Sequence, residues 1–240
     1  MSILKITALA ALTATSALAD STNSTIRASL SAGYESALIV NGLSVARSSA
    51  FSTVAAGVTY HGVDFDVGGT FLPVNGGLDQ SHWFAGVGTS VPLGKSVSVH
   101  LDADVLRHNT TLINYANSTE LSPSLALENK FLTPYVRYSY NVDSGSKGFF
   151  VGLRHEFNTF FDVKVTPALE YGRFTSYEVF QAKLGVTRKF GAHLTAFAEG
   201  TYLDNSFDSN LTFSALKRLD LTQNKVNGEF LGSAGLRWNF

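Results

Sequence analysis

Two pairs of carboxylates stand two residues apart, Asp64 with Asp66 and Asp102 with Asp104. On an extended strand that spacing puts both members on one face, where they could bind a divalent cation or, more ordinarily, line a wet surface. A third constellation involves His82. Register counted through the turn at Pro92-Leu93-Gly94 brings His82 nearly opposite Asp104, and a histidine beside a carboxylate can polarise a water. No serine sits in a recognisable nucleophile setting, so the reading assigns no catalytic residue, no metal and no cofactor, and the protein is not expected to be an enzyme. The chain has no cysteine, which excludes disulfides, thiolate metal sites and a lipid-modified cysteine.

The elements that carry these carboxylates alternate with period two. Ile26, Ala28, Leu30, Ala32 and Tyr34 are apolar, while Arg27, Ser29, Ser31, Gly33 and Glu35 between them are small or charged. Val97, Val99, Leu101, Ala103 and Val105 form the clearest such row, with Ser98, His100, Asp102 and Asp104 on the other face. Similar rows recur to the end of the chain, giving about twelve strands of roughly ten residues, the length that crosses a bilayer when tilted. A count of 10 to 14 strands fits the pattern, within one domain over residues 20–240. The connections alternate too. Ala37 to Ala50, Leu72 to Gln80, Arg107 to Ser122 and Asp204 to Lys225 read as long loops, whereas His61-Gly62, Pro92 to Lys95, Leu132-Thr133, Asn158 to Phe160 and Gly191 to His193 read as tight turns. Two connections, near Ser144 and Thr175, are intermediate.

Composition separates the classes in which such strands occur. Only 15% of residues are charged, against about 25% in a water-soluble domain, yet the mean hydropathy is only +0.09. A net charge of −1 offers no basic surface for nucleic acid. Met1 to Lys5 is a short basic start, Ile6 to Leu18 is uncharged and apolar, and Ala17-Leu18-Ala19 is a small-x-small cleavage pattern before Asp20. Residues 1–19 therefore read as a cleavable export signal. No later stretch approaches the roughly 18 apolar residues of a membrane helix. The exported chain is thus either a secreted all-β protein or an antiparallel up-and-down transmembrane β-barrel. Aromatic residues near strand ends, such as Tyr34, Tyr60, Trp83, Phe131, Phe161, Tyr171 and Trp238, fit the interfacial girdles of a barrel better than a soluble core.

The chain ends inside a strand at Gly235-Leu236-Arg237-Trp238-Asn239-Phe240. Here it resembles bacterial outer-membrane β-barrel proteins of the porin-like kind, whose final strand commonly ends in phenylalanine. The resemblance implies insertion among outer-membrane lipids by the barrel-assembly machinery, with Leu236, Trp238 and Phe240 as its signal. The aromatic-ended first strand followed by Gly42-Leu43-Ser44 is also similar to a family of small, uncharacterised proteobacterial outer-membrane proteins.

With the apolar rows facing lipid, the other face lines a lumen. That face carries Glu35, Asp64, Asp66, Asp102, Asp104, Glu128, Glu156, Asp162, Glu170, Glu199 and Glu229, with Arg27, Lys130, Arg137, Arg154, Lys164, Lys183, Arg237, His82 and His100. About twelve strands give a backbone radius of roughly 12 Å, wider than side chains alone fill. A narrow channel for small polar solutes or ions, with a mild cation preference, is one expectation. The other is a barrel closed by ion pairs together with Phe84, Phe150 and Phe197, or by an infolded Asp204 to Lys225 loop carrying Leu211, Phe213, Leu216, Leu219 and Leu221, with long loops that bind a partner.

Overall fold

The computed structural model describes residues 24–40, 43–74, 78–110, 118–174, 177–207 and 228–240. The alternating rows become strands β1 (Ser24–Val40), β2 (Leu43–Tyr60), β3 (Val63–Val74), β4 (Leu78–Pro92), β5 (Val97–Thr110), β6 (Ser118–Asn129), β7 (Thr133–Asn141), β8 (Lys147–Arg154), β9 (Phe157–Asn158), β10 (Val163–Phe174), β11 (Tyr177–Phe190), β12 (Leu194–Phe207) and β13 (Glu229–Asn239). β9 is a two-residue resumption of β8, since both pair with β10 on either side of a break at His155–Glu156. The other strands form a closed antiparallel barrel of twelve.

Each strand pairs with its sequence neighbour, and β13 returns to β1 from Ser29↔Asn239 to Glu35↔Ser233. Closure leaves no open edge to template aggregation. Register keeps the apolar rows together: Leu30 faces Val54, Val58 faces Phe65, and Leu101 faces Thr89 on one side and Leu125 on the other. These side chains stay in view on the outside, with Leu101 43% and Leu169 49% exposed. No second layer covers them, so hydrocarbon is the solvent that this surface suits.

Tight turns gather at the end that holds the C-terminus. His61 (φ 49°) and Gly62 (φ 80°) are both left-handed, the geometry of a two-residue hairpin whose twist matches its strands. Between β9 and β10, a short 3-10 turn, Phe160–Asp162, places Phe161 at φ 64° and Asp162 at φ 56°. Both are exposed. Phe161 therefore stands outside the lipid-facing row and Asp162 outside the lumen wall, because the sequence alternation slips at this turn.

The wide connections differ from the sequence reading. Much of Ala37 to Ala50, Leu72 to Gln80 and Arg107 to Ser122 is strand: β1 and β2 leave only residues 41–42 between them, β3 and β4 only 75–77, and β5 and β6 only 111–117. Where both faces of a hairpin meet water, the backbone ladder persists while the apolar rhythm disappears, so the pattern hides the strand. The connection near Ser144 is ordered by Asn141, whose Oδ1 accepts from the backbone N–H of Asp143 (3.1 Å) and of Ser144 (2.9 Å). The export signal, residues 111–117 and the apolar stretch from Leu211 to Leu221 lie outside the described residues.

Candidate functional site

Strand parity turns one side chain in two toward the lumen, and the charged ones meet as pairs along the wall. Near the tight-turn end, Arg27 Nη2 reaches Asp64 Oδ1 at 2.9 Å and Asp66 Oδ1 at 3.4 Å. Arg154 pairs with Glu128 at 3.7 Å, and Lys164 with Glu156 at 2.7 Å. Ser98 donates to Glu128 at 3.2 Å, and Ser90 Oγ lies 2.8 Å from His100 Nδ1. The guanidinium of Arg237 sits over the Phe197 ring, 5.7 Å from its centroid.

Half-way along the wall, Arg137 organises a compact polar cluster. It lies 3.4 Å from Glu170 and 3.9 Å from Glu120, and stacks 3.9 Å over the Phe150 ring. Tyr135 Oη donates to Glu170 Oε2 at 2.9 Å, and Ser139 Oγ donates to Glu120 Oε1 at 2.9 Å. Both carboxylates are buried, which requires this density of partners. Glu120 was not among the sequence candidates. Its signal was available, since Glu120, Ser122 and Ser124 alternate with Leu121, Pro123 and Leu125.

Asp102 and Asp104 share the lumen face of β5 opposite Gly88 and Gly86. Asp104 lies within electrostatic reach of Asp66 and Arg137 as well as Asp102. Among the described residues no group of three or more metal-ligating side chains converges. Lys183 faces Ala168 and Thr201 across its neighbouring strands. Glu199 accepts from Thr201 Oγ1 at 3.3 Å. Glu35 and Glu229 stand toward the wide-loop end, opposite Ser233 and Leu203.

Two sequence placements change. His82 does not face Asp104: its cross-strand partner is His108, while Asp104 faces Gly86. The turn between Pro92 and Val97 sets pairing at Pro92↔Ser98, four positions from the assumed register, and this separates the two side chains along the wall. Lys130 is not in the wall. It is exposed in the β6–β7 turn, with its ammonium 4.8 Å over the Phe131 ring, because β6 ends at Asn129.

Six inward aromatic rings share one arrangement. Phe51, Phe84, Tyr135, Phe150, Phe174 and Phe197 each lie directly across from a glycine: Gly33, Gly68, Gly152, Gly172, Gly148 and Gly235 respectively. A Cβ on any of these glycines would come inside 3.0 Å of the facing ring. The rings therefore cover the space that a missing side chain leaves; Phe51, Phe84, Tyr135 and Phe197 stay partly exposed there, whereas Phe150 and Phe174 are buried. On the β8–β13 side, Phe150, Phe174, Tyr177, Val179, Leu203 and Leu231 pack into a buried cluster toward the wide-loop end. Phe174 stacks on Tyr177 at 4.5 Å and meets Phe150 edge-on at 5.2 Å. The wall of β1–β5, with its aspartates and glycines, carries no such cluster among the described residues.

No family model matches the chain, and no curated protein does. Solved structures do. The chain is similar to the KdgM porin, at 11% identity and a TM-score of 0.55 over 88% of this chain and 99% of that one. It is likewise similar to a KdgM porin in complex with disordered oligogalacturonate, at 9% identity and a TM-score of 0.53 over 89% and 99% of the two chains. The likeness is one of fold, a closed antiparallel barrel. By fold, the chain is a twelve-stranded antiparallel barrel of the kind built by bacterial outer-membrane porins.

Proposed function

We propose that the protein is an outer-membrane channel that passes small polar solutes or ions and favours cations mildly. The observation that carries this reading is the set of inward rings laid flat over cross-strand glycines. A barrel meant to be filled would use all of those rings to fill it, whereas Gly33, Gly68, Gly152 and Gly235 let Phe51, Phe84, Tyr135 and Phe197 lie aside and stay partly exposed. The sign of the preference comes from the carboxylates of β3 and β5, where Asp102 and Asp104 have no cation within ion-pairing distance among the described residues while Asp64 and Asp66 share Arg27. A polyanion such as the oligogalacturonate bound by the KdgM porin suits that wall poorly.

The remaining sequence assignments fit this reading. Residues 1–19 direct export and are removed, residues 20–240 form the barrel, and Leu236, Trp238 and Phe240 at the end of β13 present the assembly signal. Glu35, Asp64, Asp66, His82, His100, Asp102, Asp104, Arg137, Lys183, Glu199 and Arg237 contribute to the lining, with Glu128–Arg154 and Glu156–Lys164 as ion pairs at its tight-turn mouth. A second reading, a barrel closed at its outer half whose loops bind a partner, is favoured by the buried cluster around Phe150 and Phe174.

Single-channel recording of the refolded protein in a planar bilayer, repeated across a salt gradient, decides between them. Discrete steps with a reversal potential toward the cation side support the channel. A folded, heat-modifiable barrel that stays silent removes it.

A further inference from the structure

The lipid-facing surface is not uniform. One transverse row runs through Leu125, Val136, Val151, Tyr171 and Phe180 on β6, β7, β8, β10 and β11, each paired with the next. Two short valines sit side by side in it, between a leucine on one flank and two aromatic rings on the other. The result is an apolar concavity of about 500 Å³ that extends to Leu127 on β6, Pro134 on β7 and Leu153 on β8, toward the tight-turn end. That volume lies within the roughly 300–1,000 Å³ typical of sites that hold a discrete molecule.

The turn joining β6 and β7, whose Leu127 and Pro134 line this end of the groove, carries a charge. Three residues beyond Leu127, Lys130 projects from the β6–β7 turn beside the largely exposed Phe131, and pairs with no carboxylate among the described residues. An ammonium held over a ring at a membrane surface is placed to receive a phosphate, and the apolar trough above it is placed to receive a hydrocarbon chain. We propose that this groove is a binding site for one anionic phospholipid, with an acyl chain along Val136 and Val151 and the phosphate at Lys130. It is distinct from the exchanging lipid around the rest of the barrel. The proposal rests on the membrane-spanning assignment and not on conduction.

Native mass spectrometry of the detergent-solubilised barrel, equilibrated with phosphatidylglycerol or with phosphatidylcholine, tests it. The expected result is a single retained phosphatidylglycerol, at least fivefold more abundant than phosphatidylcholine at equal activation. Val136→Phe with Val151→Phe fills the trough and removes retention of both lipids. Lys130→Gln, in an exposed turn that leaves the fold intact, abolishes the preference while leaving chain binding. Equal retention by the wild-type protein and the filled variant overturns the proposal, as does an unchanged preference in Lys130→Gln. A dimer that Val136→Phe with Val151→Phe dissociates would assign the groove to a second copy of the chain and would also overturn it. Conductance is unchanged in Lys130→Gln, so failure of this site and failure of the channel reading are read separately.

Discussion

Replacing Gly152 by alanine tests the geometry that keeps the lumen clear. A Cβ at this position would meet the Tyr135 ring on β7, coming 2.5 Å from Tyr135 Oη. The ring must lift from the wall, and lifting it breaks the 2.9 Å hydrogen bond from Tyr135 to Glu170. Forcing an extra carbon into a packed site costs typically about 1–3 kcal/mol, and a hydrogen bond to a charged acceptor about 1.5–3 kcal/mol. The usual gain from removing glycine flexibility offsets roughly 0.5–1 kcal/mol. Tyr135 is only half-buried, so the lower part of these ranges applies and the net loss is about 2–3 kcal/mol. Gly185 is the internal control: it also faces the lumen, but a Cβ there meets nothing nearer than Thr166 O at 3.6 Å. Gly185→Ala should therefore be neutral or stabilising by up to about 1 kcal/mol. Equilibrium urea unfolding in lipid vesicles measures both, and single-channel recording should show reduced conductance for Gly152→Ala alone. Adding Tyr135→Ala to Gly152→Ala should recover part of the loss, with a coupling of about 1–3 kcal/mol. Equal behaviour of the two alanine variants, or strict additivity in the double variant, would refute the reasoning.

Other outcomes follow from the same structure. Leu101→Arg or Leu169→Arg, each on the lipid-facing row, should cost about 2–4 kcal/mol and slow insertion into vesicles, whereas Ser98→Arg on the opposite face should insert normally by heat-modifiable mobility. Arg137→Met removes the guanidinium that pairs with buried Glu170 and should lower stability by about 3–5 kcal/mol, seen as an earlier urea midpoint. Asp102→Asn with Asp104→Asn should shift the reversal potential toward anions without changing the unfolding midpoint by more than about 1 kcal/mol. Phe240→Ala should reduce the amount of barrel assembled in cells while leaving refolding of the purified chain into detergent unaffected; equal losses in both assays would reassign Phe240 to barrel stability.

The sequence was most informative where one physical demand acted on every second residue. Val97 to Val105 had to present an apolar row to lipid and a polar row to the lumen, so both the strand and its two faces were legible. Register was not, because it depends on how each turn is built. The error over His82 came from the turn after Pro92, whose length moved every pair along β4 and β5 together. The same dependence hid the match of Phe84 to Gly68 and of Phe150 to Gly172, since neither neighbour lies close in sequence. The hairpin extensions of β1, β2, β3 and β5 were hidden for another reason: outside hydrocarbon, nothing requires alternation.

The contact that closes the barrel is uneven. β1 pairs with β2 along nearly its full length, from Ser24↔Tyr60 to Val40↔Leu43, but with β13 only from Ser29↔Asn239 to Glu35↔Ser233. Inside that shorter ladder, next to its middle pair, stands Gly33↔Gly235, two residues with no side chains to grip one another. A cylinder made this way behaves like a zip whose closing row of teeth is less than half as long as the row on the other side of β1. A pulling force on the C-terminal end should part β13 from β1 before it parts β13 from β12, whose ladder runs from Leu194↔Trp238 to Leu203↔Glu229.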